Sequence, residues 1–151
     1  MKPHVRSKSV AIRALVLSLA ALLPVMAATP AHAGSKGNEL LRGIDWENYL
    51  NRGDWIERSL PDFGNETVRL VMQNDGNLVL HAADGRVCWA SNTVGRGDRA
   101  VYQEDGNFVI YQGSQATWAS NTPDSTGSRV DINARGRLYV GWKAISGECH
   151  T

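Results

Sequence analysis

Cysteine, phenylalanine and histidine are scarce in this chain, with two, two and four copies among 151 residues. Two cysteines and scattered histidines offer no metal-ligand spacing, so neither a metal nor any other cofactor is expected. Basic residues form no run beyond residue 33, which argues against nucleic acid or an anionic membrane as the main partner. The one long apolar stretch, 14–28, is 15 residues long and holds Pro24. A spanning helix needs roughly 20 apolar residues, so membrane insertion is not expected.

That stretch has another reading. Lys2, Arg6, Lys8 and Arg13 supply a basic start, and Ala31-His32-Ala33 gives a small-x-small pattern behind the apolar run. Together they read as a secretory signal over 1–33, removed on export to leave a secreted, extracellular protein. The remaining 34–151 is one domain's worth of chain. It carries 12 Lys and Arg against 15 Asp and Glu, a mildly acidic balance. In an oxidising compartment Cys88 and Cys149 would pair. The bridge would close a loop of about 60 residues and contribute on the order of 4 kcal/mol at most. In a reducing compartment they would stay two free thiols.

What the chain does have is an internal repeat. Residues 69–81 (RLVMQNDGNLVLH) lie over 99–111 (RAVYQEDGNFVIY) at an offset of 30. After one single-residue gap, Trp-Ala-Ser-Asn-Thr at 89–93 matches the same five residues at 118–122, and 12 of the 24 aligned pairs are identical. A degenerate third copy follows, with Arg129, Gly136 and Leu138 in the places of Arg99, Gly106 and Phe108. Asp75-Gly76 and Asp105-Gly106 sit between β-rich runs, a hairpin signal, and further turns are expected at 83–85 and 113–115. No convincing helix follows the signal. Residues 38–50 have helical spacing at Leu40, Leu41 and Ile44, but Gly43 interrupts it.

Strand alternation sorts each repeat into two faces. Leu78 and Leu80, like Phe108 and Ile110, should face the core. Asn77, Val79 and His81 should face water together with Gln73 and Asp75, and so should Gln103, Asp105, Asn107, Val109 and Tyr111. A carboxylate, two amides, a small apolar side chain and a ring suit a hexose, which offers neighbouring hydroxyls beside a face of C–H groups. The same Asp-Gly-Asn residues also serve as structural turn formers, and both readings stand. Trp89 and Trp118 belong to the core by their place in the repeated strand. Trp46, Trp55 and Trp142 fall outside the repeat and have no assigned role. Arg96-Gly97-Asp98 lies in a loop between repeats.

No catalytic residues are expected. Asp75 and Asp105 sit in different repeats and should lie on different sheets, whereas glycoside hydrolysis needs two carboxyls about 5–9 Å apart on one sugar. His81 and His150 have no evident Ser or Cys nucleophile.

The pattern Gln-x-Asp-x-Asn-x-Val-x-Tyr at 103–111 resembles the sugar-site signature of the bulb-type (B-type) mannose-binding lectins. Positions 73–79 match it with His81 in the tyrosine place, and the Trp-Ala-Ser-Asn-Thr segments are similar too. The resemblance covers roughly 50–142, between an N-terminal segment, 34–49, and a tail, 143–151. It implies an all-β fold, a β-prism of three four-stranded sheets about a pseudo-threefold axis with the tryptophans at its centre. It also implies calcium-independent binding of mannose-containing glycans. By matching position, Gln103, Asp105, Asn107 and Tyr111 would hold sugar hydroxyls and Val109 would pack on the ring. Gln73, Asp75, Asn77, Val79 and His81 would form a second site, altered by a shorter ring of a type that titrates near neutrality. In the third copy Arg135 replaces the carboxylate and Gly141 the ring, so that motif is lost. The family's usual cysteine placement is altered, with Gly76 in the hairpin. A lectin-like bacteriocin is a rival reading, although relatives of that kind tend to carry two such domains. A prism that serves structure or protein binding is another. Single small-sugar sites bind at about −4 kcal/mol, and avidity adds roughly 10²–10⁴, so a homodimer is expected.

Overall fold

The computed structural model describes residues 33–45, 47–124 and 126–151. The signal segment up to residue 32, and Trp46, lie outside the described residues. Within them the chain forms twelve β-strands and one short 3-10 turn, Pro61–Phe63. The strands are β1 (Glu39–Leu41), β2 (Tyr49–Asn51), β3 (Trp55–Leu60), β4 (Glu66–Met72), β5 (Leu78–His81) and β6 (Val87–Ala90), then β7 (Arg99–Tyr102), β8 (Phe108–Gln112), β9 (Gln115–Ala119), β10 (Arg129–Ile132), β11 (Leu138–Val140) and β12 (Lys143–Ala144). No described helix is long and apolar enough to cross a membrane.

Three antiparallel four-stranded sheets result, ordered β3-β4-β5-β6, β2-β7-β8-β9 and β1-β10-β11-β12. The β structure read from the repeat and the three four-stranded sheets that the resemblance implies are both present. Each repeat supplies three strands, and the segment before the repeats supplies the fourth to every sheet. The stretch 38–50, whose helical spacing Gly43 interrupts, forms two short strands. Leu40 and Leu50 are the fully buried centres of β1 and β2, and Gly43 turns the chain between them at φ +77°. Burying a Leu side chain contributes about 1.5–3 kcal/mol, so one such residue anchors a three-residue strand where intrinsic propensity would not.

The expected turns are all formed. Gln73 N–H donates to Asn77 O at 2.8 Å and Gly76 N–H to Gln73 O at 3.0 Å, with Gly76 at φ +88°. Only glycine adopts that conformation at little cost. The second copy repeats the pattern at Gln103, Gly106 and Asn107.

Inward-facing Ile56, Leu70, Leu80, Ile110, Ile132 and Leu138 are fully buried. Trp89 stands opposite Leu80 and Trp118 opposite Ile110. Both are half-buried against the core, their rings edge-to-face at 5.4 Å. The equivalent place in the third sheet, opposite Val140, belongs to Lys143, whose ammonium donates to Ser120 O at 2.9 Å.

Cys88 and Cys149 form a disulfide across 61 positions of sequence. It draws the end of the chain against β6, and Cys149 is fully buried. Around it Glu148 accepts from Arg135 at 2.6 and 3.0 Å and lies 3.2 Å from His150. The Arg135 guanidinium first, then His150, hold the Glu148 carboxyl down at about 2. Phe63 stacks on His150 at 3.9 Å.

The chain-entropy model assigns this loop about 4 kcal/mol. The double variant Cys88→Ala/Cys149→Ala is expected to lose up to that much, read as a lower midpoint in denaturant titration. An unchanged midpoint would show that the tail is held by other contacts.

Candidate sugar-binding faces

The outer face of each of the first two sheets brings together all five motif residues. In the β7-β8 pair, Gln103 lies opposite Asn107, Val101 opposite Val109, and Arg99 opposite Tyr111. The β4-β5 pair places Gln73, Asn77, Val79 and His81 in the same way.

One expectation needs correction. Val79 and Val109 do not face open water, being only 3% and 4% exposed. The register supplies the reason. Gln103 Nε2 donates to the Tyr111 hydroxyl at 2.5 Å, and Gln73 Nε2 lies 3.0 Å from His81 Nε2. Each of these bonds joins the row on one side of the valine to the row on the other, and so crosses above it. With the amide nitrogen as donor, His81 Nε2 is the acceptor, which puts the ring proton on Nδ1. That nitrogen faces Gly85 O at 3.4 Å.

The turn-forming and ligand-binding readings of Asp and Asn prove compatible, because each side chain is half used. Asp105 Oδ1 accepts from Asn107 N–H at 2.8 Å, and Asp75 Oδ1 from Asn77 N–H at 2.9 Å. The second carboxylate oxygen makes no hydrogen bond among the described residues. Asn107 Oδ1 accepts from the Ser120 hydroxyl at 3.1 Å and from Thr122 N–H at 3.2 Å. Asn77 Oδ1 does the same with Ser91 at 3.0 Å and Thr93 N–H at 3.1 Å. A backbone N–H can only donate, so the amide orientation is fixed and both Nδ2 donors are left unused.

Those clamps explain the Trp-Ala-Ser-Asn-Thr repeat, in which only the tryptophan had been given a structural place from the sequence. Thr122 Oγ1 donates to Gly106 O at 2.7 Å and meets Ser120 Oγ at 2.7 Å, while Ser120 Oγ accepts from Phe108 N–H at 2.9 Å. Thr93, Ser91 and Gly76 repeat the set. All four hydroxyl residues are buried, so each network is satisfied internally and holds its hairpin tip rigid. The only signal in the sequence was the exact recurrence of Ser and Thr at that spacing.

The first face has extra features. Trp55, Arg69 and Val71 border a hollow of about 550 Å³ beside Gln73 and Asp75. Arg69 donates to Glu57 at 2.6 Å and lies over the Trp55 ring at 5.7 Å. Asp75 and Asp105 lie on different sheets, as expected. In the third copy Asn133 Oδ1 accepts from Arg135 N–H and Arg137 N–H at 2.9 and 3.0 Å, and both guanidinium groups turn to Glu148. Arg96-Gly97-Asp98 is built into the scaffold. Gly97 O accepts from Arg52 Nε at 2.7 Å, and Asp98 accepts from Arg52 and from Gly113 N–H.

Thr122→Val keeps the shape and removes the hydroxyl that satisfies Gly106 O. It is expected to cost about 1–3 kcal/mol, read by denaturant unfolding, with Thr93→Val similar. No loss in either would mean that the clamp does not hold the tip.

No family model matches the chain. Among curated proteins it is 35% identical to the B-type lectin plumieribetin of Scorpaena plumieri, over 62% of this chain and 85% of that one. It is also 35% identical to a G-type lectin S-receptor-like serine/threonine-protein kinase of Oryza sativa, over 69% of this chain. The chain spans only 17% of the length of that kinase. Among solved structures, a monomeric monocot mannose-binding lectin from Gastrodia elata matches with a TM-score of 0.56 and 31% identity, over 76% of this chain and 99% of that one. The snowdrop (Galanthus nivalis) mannose-specific agglutinin, solved with methyl-α-D-mannoside, matches with a TM-score of 0.54 and 29% identity, over 68% and 86%. Taken with the three-sheet prism and its repeated motif, these similarities identify the chain as a member of the bulb-type (B-type) lectin family.

Proposed function

We propose that this lectin binds mannose-type glycans at two outer faces, with Gln103, Asp105, Asn107, Val109 and Tyr111 as the principal site. Gln73, Asp75, Asn77, Val79 and His81 form the secondary one. The observation that carries this reading is the half-used chemistry of Asp and Asn. In both copies the scaffold takes one oxygen of each and leaves one carboxylate acceptor and one amide donor. Adjacent sugar hydroxyls, each donor and acceptor, complement that pair. The Gln103–Tyr111 bond supplies two more groups that a ligand can recruit. A bond to the charged carboxylate is worth about 1.5–3 kcal/mol against about 1 for a neutral one. Asp105 therefore contributes most to affinity, and His81 makes the first site the weaker of the two. The mannose-binding lectin of Gastrodia and the mannose-specific agglutinin of snowdrop, both similar to this chain, support the choice of sugar.

Asn107→Asp is the sharpest test. It keeps the oxygen that Ser120 and Thr122 bind and exchanges the outward donor for an acceptor. Titration of α-methyl mannoside without calcium is expected to lose the principal site, with unfolding little changed, while Asn77→Asp has a smaller effect. Undiminished affinity in Asn107→Asp would overturn the assignment.

We further propose that 1–33 directs export and is removed, and that the remaining chain dimerises to gain avidity. The protein recovered from the medium should begin at Gly34 and sediment as a dimer. An intact start at Met1 overturns the first proposal, and a strict monomer overturns the second.

A further inference from the structure

The third sheet has lost the five-residue motif, and its outer face carries a different set of groups. Strand register puts Glu39, Asp131, Tyr139 and Ala144 in one row across it. Asn133, opposite Arg137, occupies the row that Gln103 holds in the second sheet. Compared with that sheet, the carboxylate has moved from the hairpin tip to the middle row, where Asp131 replaces Val101. A phenol, Tyr139, replaces Val109. The ring position has become Gly141, at φ +57°. Its backbone is pressed against Gly127 so closely that a Cβ on Gly127 would meet Gly141 Cα at 2.2 Å.

Beside Gly141, Trp142 is 78% exposed, the most exposed of the large apolar side chains described. It stands between two adjoining hollows of about 320 and 210 Å³, each lined by Asp131, Gly141 and Trp142. Asn133 and Tyr139 line the smaller one.

The polar groups there are unspent. The Asp131 carboxylate and the Tyr139 hydroxyl make no hydrogen bond among the described residues. Asn133 has used only its oxygen, on Arg135 N–H and Arg137 N–H, so its Nδ2 donors remain. Arg129, the nearest cation by sequence, is engaged by Glu39 at 2.9 Å. Burial pushes the Asp131 carboxyl above its ordinary value; Glu39 adds to this, and Arg129 and Arg58 oppose it. A half-buried carboxylate without a donor is costly, and an exposed indole leaves much of its apolar surface in water. A ligand with hydroxyls on its edge and C–H groups on its face relieves both.

We propose that the third sheet is a separate carbohydrate site, in which a pyranose stacks on Trp142 while Asp131, Asn133 and Tyr139 take its hydroxyls. The inference goes beyond the two-site mannose reading and does not rest on it. A flat indole selects rings with an uninterrupted C–H face. Chains of β-linked glucopyranose, whose substituents are all equatorial, present one, whereas an α-mannoside carries an axial 2-hydroxyl on one face and an axial anomeric oxygen on the other. The site therefore takes β-glucan-type sugars rather than mannosides.

The test uses the Asn77→Asp/Asn107→Asp protein, in which both motif sites are altered, labelled with 5-fluorotryptophan and titrated with cellotriose. The ¹⁹F resonance of Trp142, assigned by its loss in Trp142→Phe, is expected to shift saturably. Asp131→Asn is expected to weaken that response about tenfold or more, with the other tryptophan resonances in place as the check on folding. An unmoved Trp142 resonance with cellotriose overturns the proposal. So does a larger response to α-methyl mannoside than to cellotriose, or an undiminished response in Asp131→Asn. A failure of mannose binding in the parent protein would leave all three readouts intact, so the two readings fail separately.

Discussion

In each intact repeat a backbone N–H, that of Thr93 or Thr122, donates to the side-chain oxygen of an asparagine on the neighbouring hairpin. That bond joins the end of the last strand to the tip between the middle two, and it is sheltered by two buried hydroxyls, the serine's donating to the same asparagine oxygen and the threonine's to the turn glycine. The orientation of the amide, the rigidity of the Asp-Gly-Asn turn and the direction of the spare donor all depend on it. Chemistry at the outer face is thus set by hydrogen bonds that no ligand touches. Such preorganisation lowers the ordering cost of binding, which matters most at shallow sites whose intrinsic affinity is small.

The repeat, its hairpins and the outward motif were legible because each rests on local signals: glycine where φ is positive, alternation over four or five residues, and recurrence at a fixed offset. What stayed hidden depends on contacts distant in sequence. Leu40 and Leu50 read as part of a weak helical pattern because strands of three residues carry no period of their own. Only pairing with β10 and β7 makes them strands. The valines looked solvent-facing because alternation knows nothing of a Gln–ring bond crossing above them. Asp54 gave no sign of its role either. It is buried and accepts from Gly34 N–H at 3.1 Å and Asn51 N–H at 3.0 Å, pinning the start of the fold.

The third sheet shows how far one copy can drift while the prism is kept. Its inward residues, Val130, Ile132, Leu138 and Val140, are as buried as their counterparts. Its outward ones differ at nearly every position. Lys143 takes the place of a tryptophan, and Ser146 Oγ accepts from Leu138 N–H at 2.9 Å, the bond that Ser91 and Ser120 make in the other copies. The tail, through Glu148 and Cys149, occupies space that the loop after the clamp fills elsewhere: a Cβ on Gly136 would meet Cys149 O at 2.2 Å. The pressure to fill the core is common to all three copies, and the chemistry of the surface is free to diverge.

The order in which the leading strands are used bears on how the molecule assembles. β3 pairs with the first repeat, β2 with the second and β1 with the third, so the chain is laid down in the reverse of the order in which its partners appear. During synthesis the first sheet can close early. β2 must wait for β7, and β1 must wait until Leu41 meets Arg129. Such nested, distant pairings make for slow folding. Through that interval Cys88 lacks its mate, Cys149, 61 positions further along, so a nascent chain carries an open thiol until the strands of all three sheets have been made.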